Sequence, residues 1–204
     1  LPRCQEMQRR TNDHDNALSD ARPSTSRPMT SVSPILYVLN AASIAKPHAI
    51  EQLTAELIGY NVDIAVISDT HLKKKHANCV DIDGYALFRR DRPGRRGGGV
   101  AIYARRSLAA TEYVITNLDT VYEMLWIKID QCNDVTFVGA IYHPPKPVYQ
   151  TVNLLDRIEE EVIRMQQNFP GSHVVLAGDL NTMPDSEIVI RTGMRPMVTQ
   201  PTRG

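Results

Sequence analysis

Six polar residues stand out because each lies just past the carboxyl end of an apolar run: Asn40, Asp69, Tyr142, His143, Asp179 and Asn181. The clearest case is His173-Val174-Val175-Leu176-Ala177 followed by Gly178-Asp179-Leu180-Asn181. Asp179 and Asn181 are two positions apart, so on an extended segment both side chains point the same way. A carboxylate and an amide can therefore face one pocket. Taken alone, Asp-Leu-Asn after a strand is equally a turn signal. Two carboxylates with two amides make an oxygen-rich donor set, the kind that suits a hard cation such as Mg2+. Beside it, a second carboxylate can orient or deprotonate a water that attacks phosphorus. A tyrosine hydroxyl can donate to a phosphate oxygen as charge builds there.

The elements that must position these groups follow from apolar periodicity. Residues 35–39 read as a strand ending in Asn40, and 63–68 as a strand ending before Asp69. Between them Pro47 opens a helix with Ile50, Leu53, Leu57 and Ile58 at helical spacing, and Gly59 stops it. Strand, helix, strand at this spacing is a βαβ unit, which brings Asn40 and Asp69 to one edge of a parallel pair. Residues 85–89 and 100–104 are further strands, joined by the basic, glycine-rich loop from Asp91 to Gly99. From Glu112 to Tyr142 the pattern is a meander, with Met124, Trp126 and Lys128 on one face and Leu125, Ile127 and Ile129 on the other. Pro144 and Pro145 end its last strand. Thr151 begins a long helix with Leu154, Ile158, Val162, Met165 and Phe169 on its buried face. Residues 173–177 are expected to form a buried strand that breaks at Gly178, and 186–191 a short helix.

Composition narrows the class. The 204 residues fit one domain, and 42% hydrophobic with 23% charged residues is the balance of a globular chain. Residues 1–33 are rich in Arg, Ser, Pro, Asp and Asn without periodicity, so they are expected to form a disordered arm or linker, leaving 34–204 as the folded domain. Lys+Arg and Asp+Glu number 23 each, so net charge points to no polyanion, but Lys73-Lys74-Lys75 and the stretch from Arg89 to Arg96 are local basic clusters. Cys4, Cys79 and Cys132 form no CxxC pair, which points to a reducing, intracellular setting, nuclear or cytoplasmic. No apolar run is long enough to span a bilayer, and no signal-peptide core is expected at the amino end.

Five motifs then occur in order: Leu39-Asn40, Ser68-Asp69-Thr70-His71-Leu72, Arg96-Gly97-Gly98-Gly99-Val100, Tyr142-His143-Pro144-Pro145 and Gly178-Asp179-Leu180-Asn181. From about Ile35 onward the chain resembles the endonuclease/exonuclease/phosphatase superfamily with the DNase-I-like fold. Its triple glycine and Tyr-x-Pro-Pro strand end resemble the apurinic-endonuclease-like domain of non-LTR retrotransposons most. The resemblance implies an α/β, four-layer sandwich missing its C-terminal strands. It implies Mg2+, with Mn2+ as a substitute, held by Asp69 and Asn40. It implies that Tyr142 supports the transition state, that Asp179 activates water and that Asn181 fixes phosphate and Asp179. DNA would be the substrate, and a downstream reverse transcriptase a partner in a parent polyprotein.

Two departures qualify this. The family carries Glu where this chain has Asp69, one methylene shorter. The family also carries a later Ser-Asp-His segment that these 204 residues do not contain, so the resemblance implies weak or absent hydrolysis by this chain. The alternatives are a catalytically dead fragment that binds nucleic acid or protein, and an abasic-site endonuclease or phosphomonoesterase of the same fold. Arg89, Arg92, Arg95, Arg96 and His143 are expected to meet the DNA backbone, although basic loops are also ordinary solvated surface. His71 and His76 read more simply as loop or cap residues, Trp126 as core, and Gly97 to Gly99 as a bulge rather than a phosphate cradle.

Overall fold

Strand-forming runs in the first half of the chain pair with one another, and those in the second half do the same. The structure is a computed structural model that describes residues 34–76, 79–114, 121–131 and 134–197. The expected arm at 1–33 and the tail from Thr199 lie outside the described residues. The first sheet is built from β1 (Leu36–Asn40), β2 (Ile64–Ser68), β3 (Tyr85–Arg90) and β4 (Val100–Arg105), in the order β1-β2-β4-β3. The second is built from β5 (Thr111–Tyr113), β6 (Glu123–Gln131), β7 (Asp134–Tyr142) and β8 (His173–Asp179), in sequence order. Two pairs are parallel, β1 with β2 and β7 with β8, and both follow a helical crossover.

Side-chain alternation sorts the apolar residues into three cores, and the cores define four layers. Ile64, Val66, Val100, Ile102 and Ala104 of the first sheet meet Leu125, Ile127, Ile129, Val138 and Ala140 of the second. On the outer face of the first sheet, Leu53 and Leu57 of α1 (Ala49–Gly59) pack on Ala65, Ile67, Ala101 and Tyr103. On the outer face of the second, Leu154, Ile158, Val162 and Met165 of α2 (Thr151–Asn168) pack on Met124, Trp126, Phe137 and Ile141. Ile188 of α3 (Asp185–Thr192) joins that layer. Each such fully buried aliphatic side chain contributes about 1.5–3 kcal/mol relative to exposure. The two faces expected for residues 124–129 are the two faces seen.

Two local expectations change. Ile58 does not share the buried face of α1: it is 64% exposed, because Leu57 already points into the core and the next residue lies about 100° around the helix. The run at 173–177 is neither fully buried nor broken at Gly178. β8 has a hydrogen-bonded neighbour on one side only among the described strands, so its residues after His173 are half-buried. It continues through Gly178, which pairs with Ile141, to Asp179, which pairs with Tyr142. Glycine is needed there because the backbones approach so closely: a Cβ would sit 1.9 Å from the carbonyl oxygen of Ile141.

Candidate active site

Parallel pairing brings the strand ends to one rim. Asn40 is level with Ser68 at the end of β1–β2, and Tyr142 is level with Asp179 at the end of β7–β8. The two rims meet, because Asn40 Nδ2 donates to Asp179 Oδ2 and so links the first sheet to the second. Asn40 Oδ1 accepts the Ala42 N–H at 3.2 Å, which orients the amide. The other oxygen of Asp179, Oδ1, accepts the Asn181 N–H at 2.9 Å. Asn181, at φ 48, turns its Nδ2 onto the carbonyl of His143 at 2.8 Å, and the His143 N–H donates to the Asp179 carbonyl at 2.8 Å. Asn is among the few residues that adopt this left-handed conformation readily.

Asp69 is held differently. It leaves β2 at φ 51, and its Oδ1 accepts the Gly98 N–H at 2.7 Å and lies 3.0 Å from His71 Nε2. The chain then runs back along the triple glycine: the Thr70 N–H donates to Gly99 O at 3.2 Å and the His71 N–H to Gly98 O at 2.8 Å. Gly97 to Gly99 thus act as neither a simple bulge nor a cradle open to phosphate. The amides and carbonyls of Gly98 and Gly99 are spent on Asp69, Thr70, His71 and one further acid, Glu123.

Tyr142 lies between these flanks and is 8% exposed. Burial pushes its hydroxyl pKa up, and Asp69, Asp179 and Glu123 push the same way, against the Arg92 guanidinium. Both candidate carboxylates therefore act on one phenol, which holds its proton more tightly than a free tyrosine does.

The expected DNA-facing set divides. Arg95 and Arg96 are exposed on the loop. Arg92 is not free: its Nε donates to Glu123 Oε1 at 2.7 Å and its guanidinium lies 5.5 Å from the centroid of the Tyr142 ring. Arg89 pairs with Asp91 at 3.3 Å and donates to the carbonyl of Lys73. His143 is 1% exposed, with Nδ1 3.2 Å from the Tyr149 hydroxyl, and burial pushes its pKa down. Of these three expected at the DNA backbone, His143 is instead buried, while Arg89 and Arg92 are half-buried and already engaged by protein partners. The local acids Asp91 and Glu123 and the loop carrying Tyr149 supply better partners than solvent does.

A family model described as Endonuclease/Exonuclease/phosphatase family matches residues 16–199. The chain belongs to that family. Among solved structures it is similar to the endonuclease domain of TRAS1, a telomere-specific non-LTR retrotransposon (18% identity, TM-score 0.55, covering 79% of this chain and 70% of that one). It is similar to Danio rerio TDP2 complexed with single strand DNA product (16%, 0.51, 81% and 67%). It is also similar to the catalytic domain of Xenopus laevis APE2 (18%, 0.54, 78% and 64%). At these identities the likeness is one of fold. The chain spans about two thirds of the length of each. A search of curated proteins returned no match.

Within the endonuclease/exonuclease/phosphatase fold, the donor set here suits a cation that keeps most of its water. Among the described residues no three or more His, Cys, Asp or Glu gather as a metal cage. Asp69, one residue past the strand position level with Asn40, supplies a carboxylate of the kind Mg2+ takes, one or two of them plus substrate phosphate. Glu123 was invisible to motif reasoning. Its one sequence signal is an acid at the head of an alternating apolar strand, and it proves to be the cross-strand partner of Tyr142.

Proposed function

We propose that this chain is the DNA endonuclease domain of a non-LTR retrotransposon, an intracellular Mg2+-dependent phosphodiesterase. Its nick would leave a 3′-hydroxyl for target-primed reverse transcription by a downstream partner domain. The observation that carries the reading is the Asn40–Asp179 hydrogen bond between sheets, which puts Asp179, Asn181 and Tyr142 at one rim with Asp69. The likeness to the TRAS1 endonuclease domain supports the retroelement branch.

In this reading Asp179, held by Asn40 and Asn181, orients a water and accepts its proton as the water oxygen attacks phosphorus. The bond to the leaving oxygen breaks, and that oxygen takes up a proton from solvent. Tyr142, kept neutral by burial, donates to a phosphate oxygen that gains charge. Asp69 with Asn40 would hold Mg2+ or Mn2+, which supplies Lewis-acid charge. Arg95 and Arg96 would meet the phosphate backbone.

Incubation with supercoiled plasmid and Mg2+ tests this. Slow nicking lost in Asp179→Ala, with Mn2+ binding weakened in Asp69→Ala, is the expected result. Mn2+ binding absent in the wild type, or nicking that survives Asp179→Ala, overturns it and favours the dead binding fragment or a contaminant. A second reading has the APE2 likeness behind it, at nearly the same TM-score. Cleavage of an abasic oligonucleotide far faster than of plain duplex would favour that repair-type activity.

A further inference from the structure

We propose that the Arg92–Glu123 ion pair is a positioning device that couples the triple-glycine turn to Tyr142, so that the Asp69 carboxylate and the tyrosine hydroxyl are aimed at one phosphate. This rests on the phosphodiesterase reading above. Glu123 is 6% exposed and spends both oxygens. Oε1 accepts Arg92 Nε at 2.7 Å and lies 2.5 Å from Nη2, and Oε2 accepts the Gly99 N–H at 2.5 Å. The next amide back, that of Gly98, goes to Asp69. Successive amides of one turn are thus bonded to two acids, one of them a site residue and the other buried beside the site. Arg92 closes the circuit. Its guanidinium stacks over the Tyr142 ring at 5.5 Å, and its Nη1 lies 3.4 Å from the carbonyl of Arg96, pinning the loop that carries the exposed arginines. Tyr142 and Glu123 are direct partners across β6–β7, so the pair, the ring and the turn form one contiguous cluster.

The cluster leaves no slack at its centre. A Cβ on Gly98 would lie 2.3 Å from the Arg92 guanidinium and 2.3 Å from Glu123 Oε2. A buried ion pair is a poor stabiliser, since desolvation offsets most of the attraction and an apolar pair of similar volume would serve the core as well. What such a pair does supply is fixed direction: the planar guanidinium fork and the carboxylate admit few mutual arrangements. The contacts of Arg92 and Glu123 are to the turn, the loop and the ring, so both are taken to act through Asp69 and Tyr142.

The full chain carries the test in two measurements, amide and aromatic NMR spectra and plasmid nicking, for Arg92→Met, Glu123→Gln and the double variant. In Arg92→Met the signals of Gly98, which lies against the guanidinium, and of the Tyr142 ring should shift together with those of Gly99 and of His71, whose N–H bonds Gly98 and not Arg92. Turnover per folded molecule should fall roughly ten- to a hundredfold, the scale of a sub-ångström misplacement, with little change in KM. The double variant should be no worse than the worse single one. Arg92→Lys keeps charge but not the fork, and should fail to restore turnover. Should Arg92→Met not fold, Arg92→Lys carries the same spectral test. Unmoved His71 and Tyr142 signals, or additive losses in the double variant, would overturn the coupling. If the wild type does not nick at all, the phosphodiesterase reading has failed, and the spectra alone then decide whether the pair couples turn to ring.

Discussion

The two flanks of the site present the same chemical group by opposite means. Asp69 is gripped from behind by backbone: a glycine amide holds one oxygen, and that glycine is wedged against a buried ion pair. Asp179 is gripped from the side by two asparagines, one of them on the other sheet, at the end of a strand with one hydrogen-bonded neighbour among the described strands. The first arrangement draws its rigidity from the core, the second from polar contacts near solvent. Substitutions on the two flanks should therefore fail differently, with stability moving on the Asp69 side and chemistry on the Asp179 side.

The largest expected effect lies on the second flank. Asp179→Ala should cut nicking by about a thousandfold, the scale a positioned general base contributes. Stability should drop by only about 1 kcal/mol, for two hydrogen bonds close to water. Asp69→Ala should cost more stability, about 1–3 kcal/mol, because it strips the acceptor from the buried Gly98 amide. Thermal melts of the two variants side by side would break the comparison if the order reversed.

The glycines sharpen it. Gly178→Ala meets backbone, 1.9 Å from Ile141 O at φ 141, and should cost about 3 kcal/mol or more and open the end of β7–β8. Gly98→Ala at φ 69 meets side chains rather than main chain, so it should cost less than Gly178→Ala, about 1–3 kcal/mol, while displacing the buried Arg92–Glu123 pair. Urea midpoints would rank them. Arg95→Ala and Arg96→Ala should each lower the salt slope of DNA binding by about one, whereas Arg89→Ala should leave it unchanged because that cation is already paired. Binding isotherms across a salt series would separate the two classes.

The smallest effect is on pH. His143 is buried, and its pKa is depressed below the ordinary 6.5 by loss of solvation, partly offset by Asp179. A histidine shifted this way contributes stability that is fully present above pH 6.5 and is lost as pH falls through the folded value. His143→Gln should flatten that acid limb of the stability curve. Tyr142 shifts the other way, so its contribution holds below pH 10 and fades as pH rises through the raised value.

Much of this layout could be read from periodicity. The alternation at 124–129 assigned both faces of β6, and helix spacing at 154–165 found the buried stripe of α2. Motif ends located Asn40, Asp69, Tyr142, Asp179 and Asn181, and the structure brings these five to one rim. What could not be read depends on partners distant in the chain. Arg92 looked like any loop arginine until Glu123, 31 residues on, was seen to receive it. His143 looked like a phosphate contact, but Tyr149 folds back to cover it. Gly178 looked like a strand breaker because local propensity carries no information about how near Ile141 will come. Composition can name a charged residue but not its counter-ion, and tertiary pairing decides which arginines remain for a polyanion.

Gly178 has a consequence at the level of the gene. Every missense change at the first or second base of its codon puts a side chain where no atom fits, and no small adjustment relieves it because the obstacle is main chain. Among related sequences that codon is a tell-tale. Relatives that keep it are the ones worth expressing, and those that have lost it can be set aside from the DNA alone.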